Sequence, residues 1–314
     1  MLYLRNKIDN LTIYSSLFFP IRGKVVANEN FCREFCWKIG ENHKSPYGAL
    51  FQGELIQYNE RKKQKGVRAM PNYRLTLCYD GTRWKGWQKQ GNTDNTIQGK
   101  LENLLSRLLD QPVEVAGSGR TDAGTHAKGQ VASFRAKTGM SPQEILAGLR
   151  QYLPADIGAV SLEEAEPRFH ARLSCVGKTY VYRIWRSQSP NVFERNYLYF
   201  CPGDLNVEKM RRAASALCGR HDFRAFCSLK KFKKSTVRTV ESITIEELGP
   251  ELRLTFSGDG FLYHMVRILV GTLLAVGRGE LEPEDMADIL ESQDRQRAGE
   301  TVPACGLCLE EVRY

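Results

Sequence analysis

The amino-acid sequence predicts an α+β fold with a largely antiparallel sheet. Segments with the two-residue alternation of strands outnumber the helical segments that could cross between them. The helical segments carry recognisable start and stop signals. The composition, 42% hydrophobic and 26% charged over 314 residues, is that of a globular chain with room for two ordinary domains or one large one.

The elements follow in order. Residues 73–79 read as a strand, with Tyr73, Leu75, Leu77 and Tyr79 on one side. A helix is expected over 96–109, where Ile97, Leu101, Leu104, Leu105 and Leu108 fall at helical spacing. Residues 113–116 and 130–134 read as short strands around a Gly-rich turn. Ser141-Pro142-Gln143-Glu144 is a helix start, with a capping Ser, Pro in the first turn and Glu three residues after the cap. That helix runs to Tyr152, and Leu153-Pro154 stops it. Residues 179–185 alternate aromatic and aliphatic side chains as a strand. A helix over 207–217 ends before Gly219. Strands are expected over 236–246 and 252–256, and a closing strand over 307–312. Between them lie a long apolar helix over 262–276 and a short one over 286–290 behind Pro283.

Residues 1–69 read differently. Their hydrophobic periodicity is weak and they end in the basic run Arg61-Lys62-Lys63-Gln64-Lys65. The expectation is an N-terminal extension, disordered or lying upstream of a natural start at Met70. A basic arm gripping RNA is the functional alternative. The formal net charge is +9. Residues 1–69 hold 12 Lys and Arg against 6 Asp and Glu, whereas the remainder holds 33 against 30. A polyanion-binding surface in the main body must therefore be a local patch.

Nine scattered Cys in a chain of this length point to free thiols in a reducing cytosol. Cys32 and Cys36, and Cys305 and Cys308, are the close pairs, and neither has a second pair at zinc-site spacing. No metal is expected. The apolar stretch over 11–21 is too short to span a membrane and Pro20 interrupts it; Asp9 at its border makes it a poor signal peptide.

The most informative stretch runs from Ala116 to Phe134. Gly117-Ser118-Gly119 leads into Arg120-Thr121-Asp122, and Gly124 and Gly129 follow. Such a loop presents polar side chains on a rigid sheet. Taken alone, a carboxylate flanked by a cation is as well explained by a surface turn. A dinucleotide loop fails, because Asp122 occupies the third glycine position.

Gly119-Arg120-Thr121-Asp122-Ala123-Gly124, followed by His126 and Gly129-Gln130-Val131, resembles the signature of the tRNA pseudouridine synthase A family. Further segments are similar to the family's in the right order. They are Tyr79-Asp80-Gly81-Thr82 with Gly86-Trp87-Gln88, Thr96-Ile97-Gln98, Phe169-His170-Ala171-Arg172, and Lys178-Thr179-Tyr180-Val181-Tyr182-Arg183. Asp222-Phe223, Thr236-Val237-Arg238-Thr239, the run from Phe261 through His264 and Arg267 to Gly271, and Pro303-Ala304 with Gly306-Leu307 complete the series. The resemblance covers 73–314 and leaves 1–69 outside. Trp84 stands where the family usually has another aromatic residue.

The resemblance implies two similar lobes with a basic cleft between them, 70–175 carrying the catalytic loop and 176–314 completing the site. It implies Asp122 as nucleophile, Tyr180 stacking on or positioning the target uracil, Arg267 paired with Asp122, and Arg120 helping to extrude the nucleotide. It implies a cytoplasmic homodimer acting on uridines 38, 39 and 40 of the tRNA anticodon stem-loop. Breaking the N1–C1′ bond and rejoining the base through C5 involves no redox step and loses no group, so no cofactor is expected. One carboxylate suffices for a covalent intermediate, at C1′ or at C6. A nearby guanidinium favours a charged carboxylate where water is excluded. Arg267, mid-helix among apolar residues, needs an acidic partner of some kind.

By composition alone Tyr180 and Tyr182, on one face of a strand, read as core rather than as a base platform. Lys85, Lys89, Arg172, Lys178 and the run of lysines within 230–234 are candidates for phosphates, and His126, His170 and His264 read as structural residues. Two rivals remain: a tRNA-binding or tRNA-folding module without chemistry, and a hydrolase of glycosidic bonds, which normally needs two carboxylates.

Overall fold

The computed structural model describes residues 70–232 and 234–314; of residues 1–69 it describes only the backbone at 20, 21, 24 and 25. There β1 (Pro20–Ile21) pairs antiparallel with β2 (Lys24–Val25). The expectation of a disordered or upstream extension falls on residues otherwise outside the described ones. Residues 1–68 and 69–314 form separate units. No helix among the described residues is long and apolar enough to cross a membrane.

The second unit is α+β, as the sequence predicts. Its strands are β3 (Asn72–Tyr79), β4 (Val115–Gly117), β5 (His126–Arg135), β6 (Ile157–Ala165), β7 (Gly177–Trp185), β8 (Tyr199–Phe200), β9 (Gly219–Asp222), β10 (Val237–Leu248), β11 (Glu251–Gly258) and β12 (Leu307–Arg313). They form one sheet in the order β6-β3-β5-β12-β7-β11-β10-β9, with β4 added on β5 and β8 on β7. Neighbours run antiparallel except at β5–β12 and β7–β8. Two α+β halves therefore share one sheet, and β12, from the end of the chain, joins them. It pairs with β7 over most of its length and with β5 through Cys308 and Leu309.

The helices begin where local chemistry dictates. In α1 (Ile97–Leu108) the Thr96 hydroxyl accepts from the Gly99 amide at 3.2 Å. In α2 (Pro142–Tyr152) the Ser141 hydroxyl accepts from the Glu144 amide, and the Glu144 carboxylate accepts from the Ser141 amide at 2.7 Å. In α3 (Val207–Ala216) Asn206 accepts from the Lys209 amide. The helix α4 (Met265–Gly277) is buried at every position except Arg267, as a helix apolar all round must be. A shorter α5 (Asp285–Ser292) follows.

Two expectations are corrected. The long helix starts at Met265 rather than 262, because His264 sits in a left-handed conformation that the helix cannot include. The strand expected at 130 begins at His126, because β12 supplies a partner there from 182 residues downstream, at Cys308. The edge strand β6 had no clear sequence signal. Its register against β3 shifts between Thr76 and Leu77, which breaks the two-residue alternation a strand is read by.

Candidate active site

A cleft of about 1430 Å³ opens where the loop between β4 and β5 faces the start of α4 and the segment before β10. Among the described residues, eight Lys and Arg side chains line it against two carboxylates, Asp122 and Asp259. That is the local patch that the near-neutral charge of the main body required.

The loop over 118–125 is held by hydrogen bonds on all sides. Gln130, fully buried on β5, accepts from the Ser118 hydroxyl at 2.7 Å and donates to the Gly119 carbonyl at 3.0 Å and to the Tyr79 hydroxyl at 3.3 Å. The Tyr79 hydroxyl also bonds Thr121 Oγ1 at 2.8 Å. The Trp87 amide donates to the Thr121 carbonyl, and the Thr125 amide closes a turn onto the Asp122 carbonyl. Gly86 must be glycine. Its φ is +90°, and a Cβ there would stand 2.8 Å from the Thr121 carbonyl oxygen. Trp84, the departure from the family pattern, is buried and donates through its indole N–H to Asp156 at 3.1 Å.

This scaffold points Asp122 into the cleft. Arg267 Nη1 donates to Asp122 Oδ2 at 3.1 Å, and Arg267 Nε to the Val302 carbonyl at 2.7 Å. The side chains are 20% and 15% exposed, so the pair is largely shielded from water. The other carboxylate oxygen, Oδ1, has no hydrogen-bond partner among the described residues. A carboxylate with one oxygen held by a guanidinium and the other free has the form of an oriented nucleophile.

Tyr180 and Tyr182 part company. Tyr182 is fully buried and donates to the Pro303 carbonyl at 2.7 Å, so it is core. Tyr180 is also buried, but it lines the cleft and meets the Phe261 ring edge-on, with centroids 5.4 Å apart. Arg120 is exposed, lines the cleft and makes no ion pair among the described residues.

Of the phosphate candidates, Lys85, Arg172, Lys178, Lys231 and Lys234 line the cleft. Lys89 does not; its ammonium pairs with Glu102 at 3.2 Å. Lys233 lies outside the described residues. Lys178 donates to the Ser118 carbonyl at 2.8 Å, and Gly119 lets it approach, because a Cβ there would sit 2.6 Å from Nζ. Burial, reinforced by Arg172 and Arg238, pulls the Lys178 ammonium below its usual pKa, against the opposite pull of Cys175. Cations crowded without a carboxylate partner suit a polyanionic ligand.

The histidines also separate. The His126 ring accepts from the Gly81 amide at Nδ1 and faces the Asn196 and Cys305 carbonyls through Nε2, which is structural. The His170 ring accepts from the Arg172 amide and braces its own turn. His264 does not fit that reading, for its Nε2 lies 3.5 Å from Asp122 Oδ2. No local pattern in the sequence signals this, since the two residues meet only in the fold.

The model of the tRNA pseudouridine synthase family matches residues 76–173 and 213–314. Curated relatives agree. The chain is 44% identical over 245 residues to tRNA pseudouridine synthase A 2 of Bacillus cereus, covering 78% of this chain and all of that protein. It is 45% identical over 245 residues to the protein of the same name in Clostridium perfringens, with the same coverage. It is 42% identical over 246 residues to tRNA pseudouridine synthase A of Moorella thermoacetica, again over that protein's whole length. The chain belongs to the tRNA pseudouridine synthase family, whose members are isomerases.

Proposed function

We propose that residues 70–314 of this family member isomerise uridine to pseudouridine at positions 38, 39 and 40 of the tRNA anticodon stem-loop, with Asp122 as nucleophile. The observation that supports this most is the Asp122 carboxylate, held through Oδ2 by Arg267 and free at Oδ1 inside a basic cleft. Lys and Arg along the cleft bind the phosphates and release counterions. The target nucleotide leaves the stack, since its reacting atoms are inaccessible within it. Arg120, exposed and unpaired with any described acid, enters the stem as it leaves. The uracil seats on Tyr180, with Phe261 closing the pocket edge-on. Asp122 attacks at C1′ or C6, the N1–C1′ bond breaks, the base turns, C5 bonds to C1′, and the bond to Asp122 breaks to restore the carboxylate. C5 loses a proton and N1 gains one, so the product is an isomer of the substrate.

The same reading divides the unit into a lobe over 70–175, which carries the Asp122 loop, and a lobe over 176–314, which supplies Tyr180 and Arg267. It takes the protein to be a homodimer in the cytoplasm, and the free cysteines among the described residues suit a reducing compartment.

The test is to map pseudouridine on bulk tRNA from cells lacking the protein, after incubation with wild type or with Asp122→Ala. The expected result is new pseudouridine in the anticodon stem-loop with wild type alone, and undiminished tRNA binding by the variant. Activity that survives in Asp122→Ala sinks the nucleophile. Binding without any product from wild type favours the RNA-folding module, and release of free uracil favours hydrolysis.

A further inference from the structure

We infer that His264 is a positioning residue for Asp122: its imidazole N–H fixes the carboxylate through Oδ2 so that Oδ1 is presented for attack. The inference rests on the reading of Asp122 as the nucleophile.

The backbone supplies the first argument. Three non-glycine residues among those described have positive φ: Asp110, His264 and Gln293. Asp110 follows the end of α1 and Gln293 caps the end of α5, where left-handed residues commonly terminate helices. His264 instead precedes α4, with φ 63° and ψ 4°, and makes no side-chain cap. Helix termination does not account for it. A β-carbon in this conformation persists only where its surroundings over-determine it.

Those surroundings are specific. The imidazole stacks on Tyr263, with centroids 3.7 Å apart and planes 27° apart. Its Nδ1 lies 2.9 Å from Ser228 Oγ, and the Ser228 amide in turn donates to the Tyr263 carbonyl. Its Nε2 lies 3.5 Å from Asp122 Oδ2. The left-handed backbone thus brings the ring beside the carboxylate, while stacking and the serine hold its plane.

Chemistry assigns the proton. Burial, with Arg267 and Arg295 nearby, lowers the pKa of the ring against the pull of Asp122, so it is neutral at neutral pH. A neutral imidazole has one N–H. The carboxylate can only accept, whereas the serine hydroxyl can donate, so the N–H belongs on Nε2 and Ser228 donates to Nδ1. A distance of 3.5 Å is long for a hydrogen bond, and such contacts tighten when substrate closes the site. Arg267 and His264 then both address Oδ2. The histidine fixes direction without placing a second cation on the carboxylate, which would hold it as a resting ion pair.

The experiment compares wild type, His264→Gly and His264→Gln by single-turnover pseudouridine formation, tRNA affinity and thermal unfolding. Glycine removes the imidazole and relieves the left-handed conformation, so a purely structural role predicts a rate that simply follows any change in Tm. The positioning role predicts unchanged or higher Tm, unchanged tRNA affinity, and a single-turnover rate about tenfold or more lower. Glutamine, whose amide can donate to Oδ2, is expected to restore about threefold or more of that loss. A wild-type rate in His264→Gly overturns the inference. So does a loss confined to tRNA affinity, or a rate loss that tracks a lowered Tm in both variants. Failure of the underlying reading looks different: wild type itself makes no pseudouridine, or Asp122→Ala still does.

Discussion

The loop that carries Asp122 and the helix that carries Arg267 meet at one carboxylate, yet they are held in place by opposite means. The loop over 118–125 has little apolar packing of its own. Its shape is set by directed bonds from Gln130, Tyr79, Trp87 and Lys178. The helix α4 makes few directed bonds to the rest of the protein from its side chains, chiefly from Arg267 and to Thr272. It is fixed by burial of every residue but Arg267, which leaves through the cleft end. Hydrogen bonds specify angle, and burial supplies free energy without direction. The proposed nucleophile needs the first, and the helix that carries its partner needs the second.

Three substitutions separate the two modes of support. The largest change in stability is expected from Leu273→Ala, in the wholly buried core of α4. It should cost about 2–5 kcal/mol of unfolding free energy, read by denaturant titration, and leave kcat nearly unchanged at low temperature. A matching loss of kcat in folded protein would mean that α4 also tunes the site. Next is Arg267→Gln, which breaks the joint between the two supports. It should lower kcat about 10²-fold, because Asp122 loses the group that orients it, with tRNA affinity little changed. An effect confined to KM would make Arg267 an RNA contact. The smallest is Gln130→Ala. It leaves the Ser118 hydroxyl, the Gly119 carbonyl and the Tyr79 hydroxyl short of partners, at a cost of about 1–3 kcal/mol. Unlike Leu273→Ala it should also slow the reaction, since the loop loses its angle. A Gln130→Ala enzyme that is destabilised yet fully active would show that the loop does not depend on those bonds.

Legibility in the sequence followed the same division. Elements with local signals were readable: the capping box at Ser141, the alternation of Tyr73 to Tyr79 and the apolar run within α4. The Asp122 loop was readable because its residues are contiguous, and its resemblance to a known signature needs no fold. The edge strand β6 was not readable, since a register shift hides its period. Lys89 was misplaced because its partner, Glu102, reaches it across a turn rather than along a visible charge pattern. Tyr180 and Tyr182 looked equivalent by spacing. What separates them is Phe261 and the open cleft on one side, and the Pro303 carbonyl on the other.

The sequence by itself determined the fold class and the family and marked Asp122 as the candidate nucleophile, because each is written in contiguous residues or in a repeating period. Only the tertiary structure decided what surrounds that acid. Arg267 lies 145 residues from Asp122 along the chain, and β12 must return from the C-terminus to join the two halves of the sheet. In sequence His264 reads as a structural histidine, and its place beside the carboxylate depends on a left-handed backbone turn that no periodicity records. Local chemistry is carried by neighbours in sequence, whereas orientation and charge are set by neighbours in space, which for this site come from opposite ends of the unit.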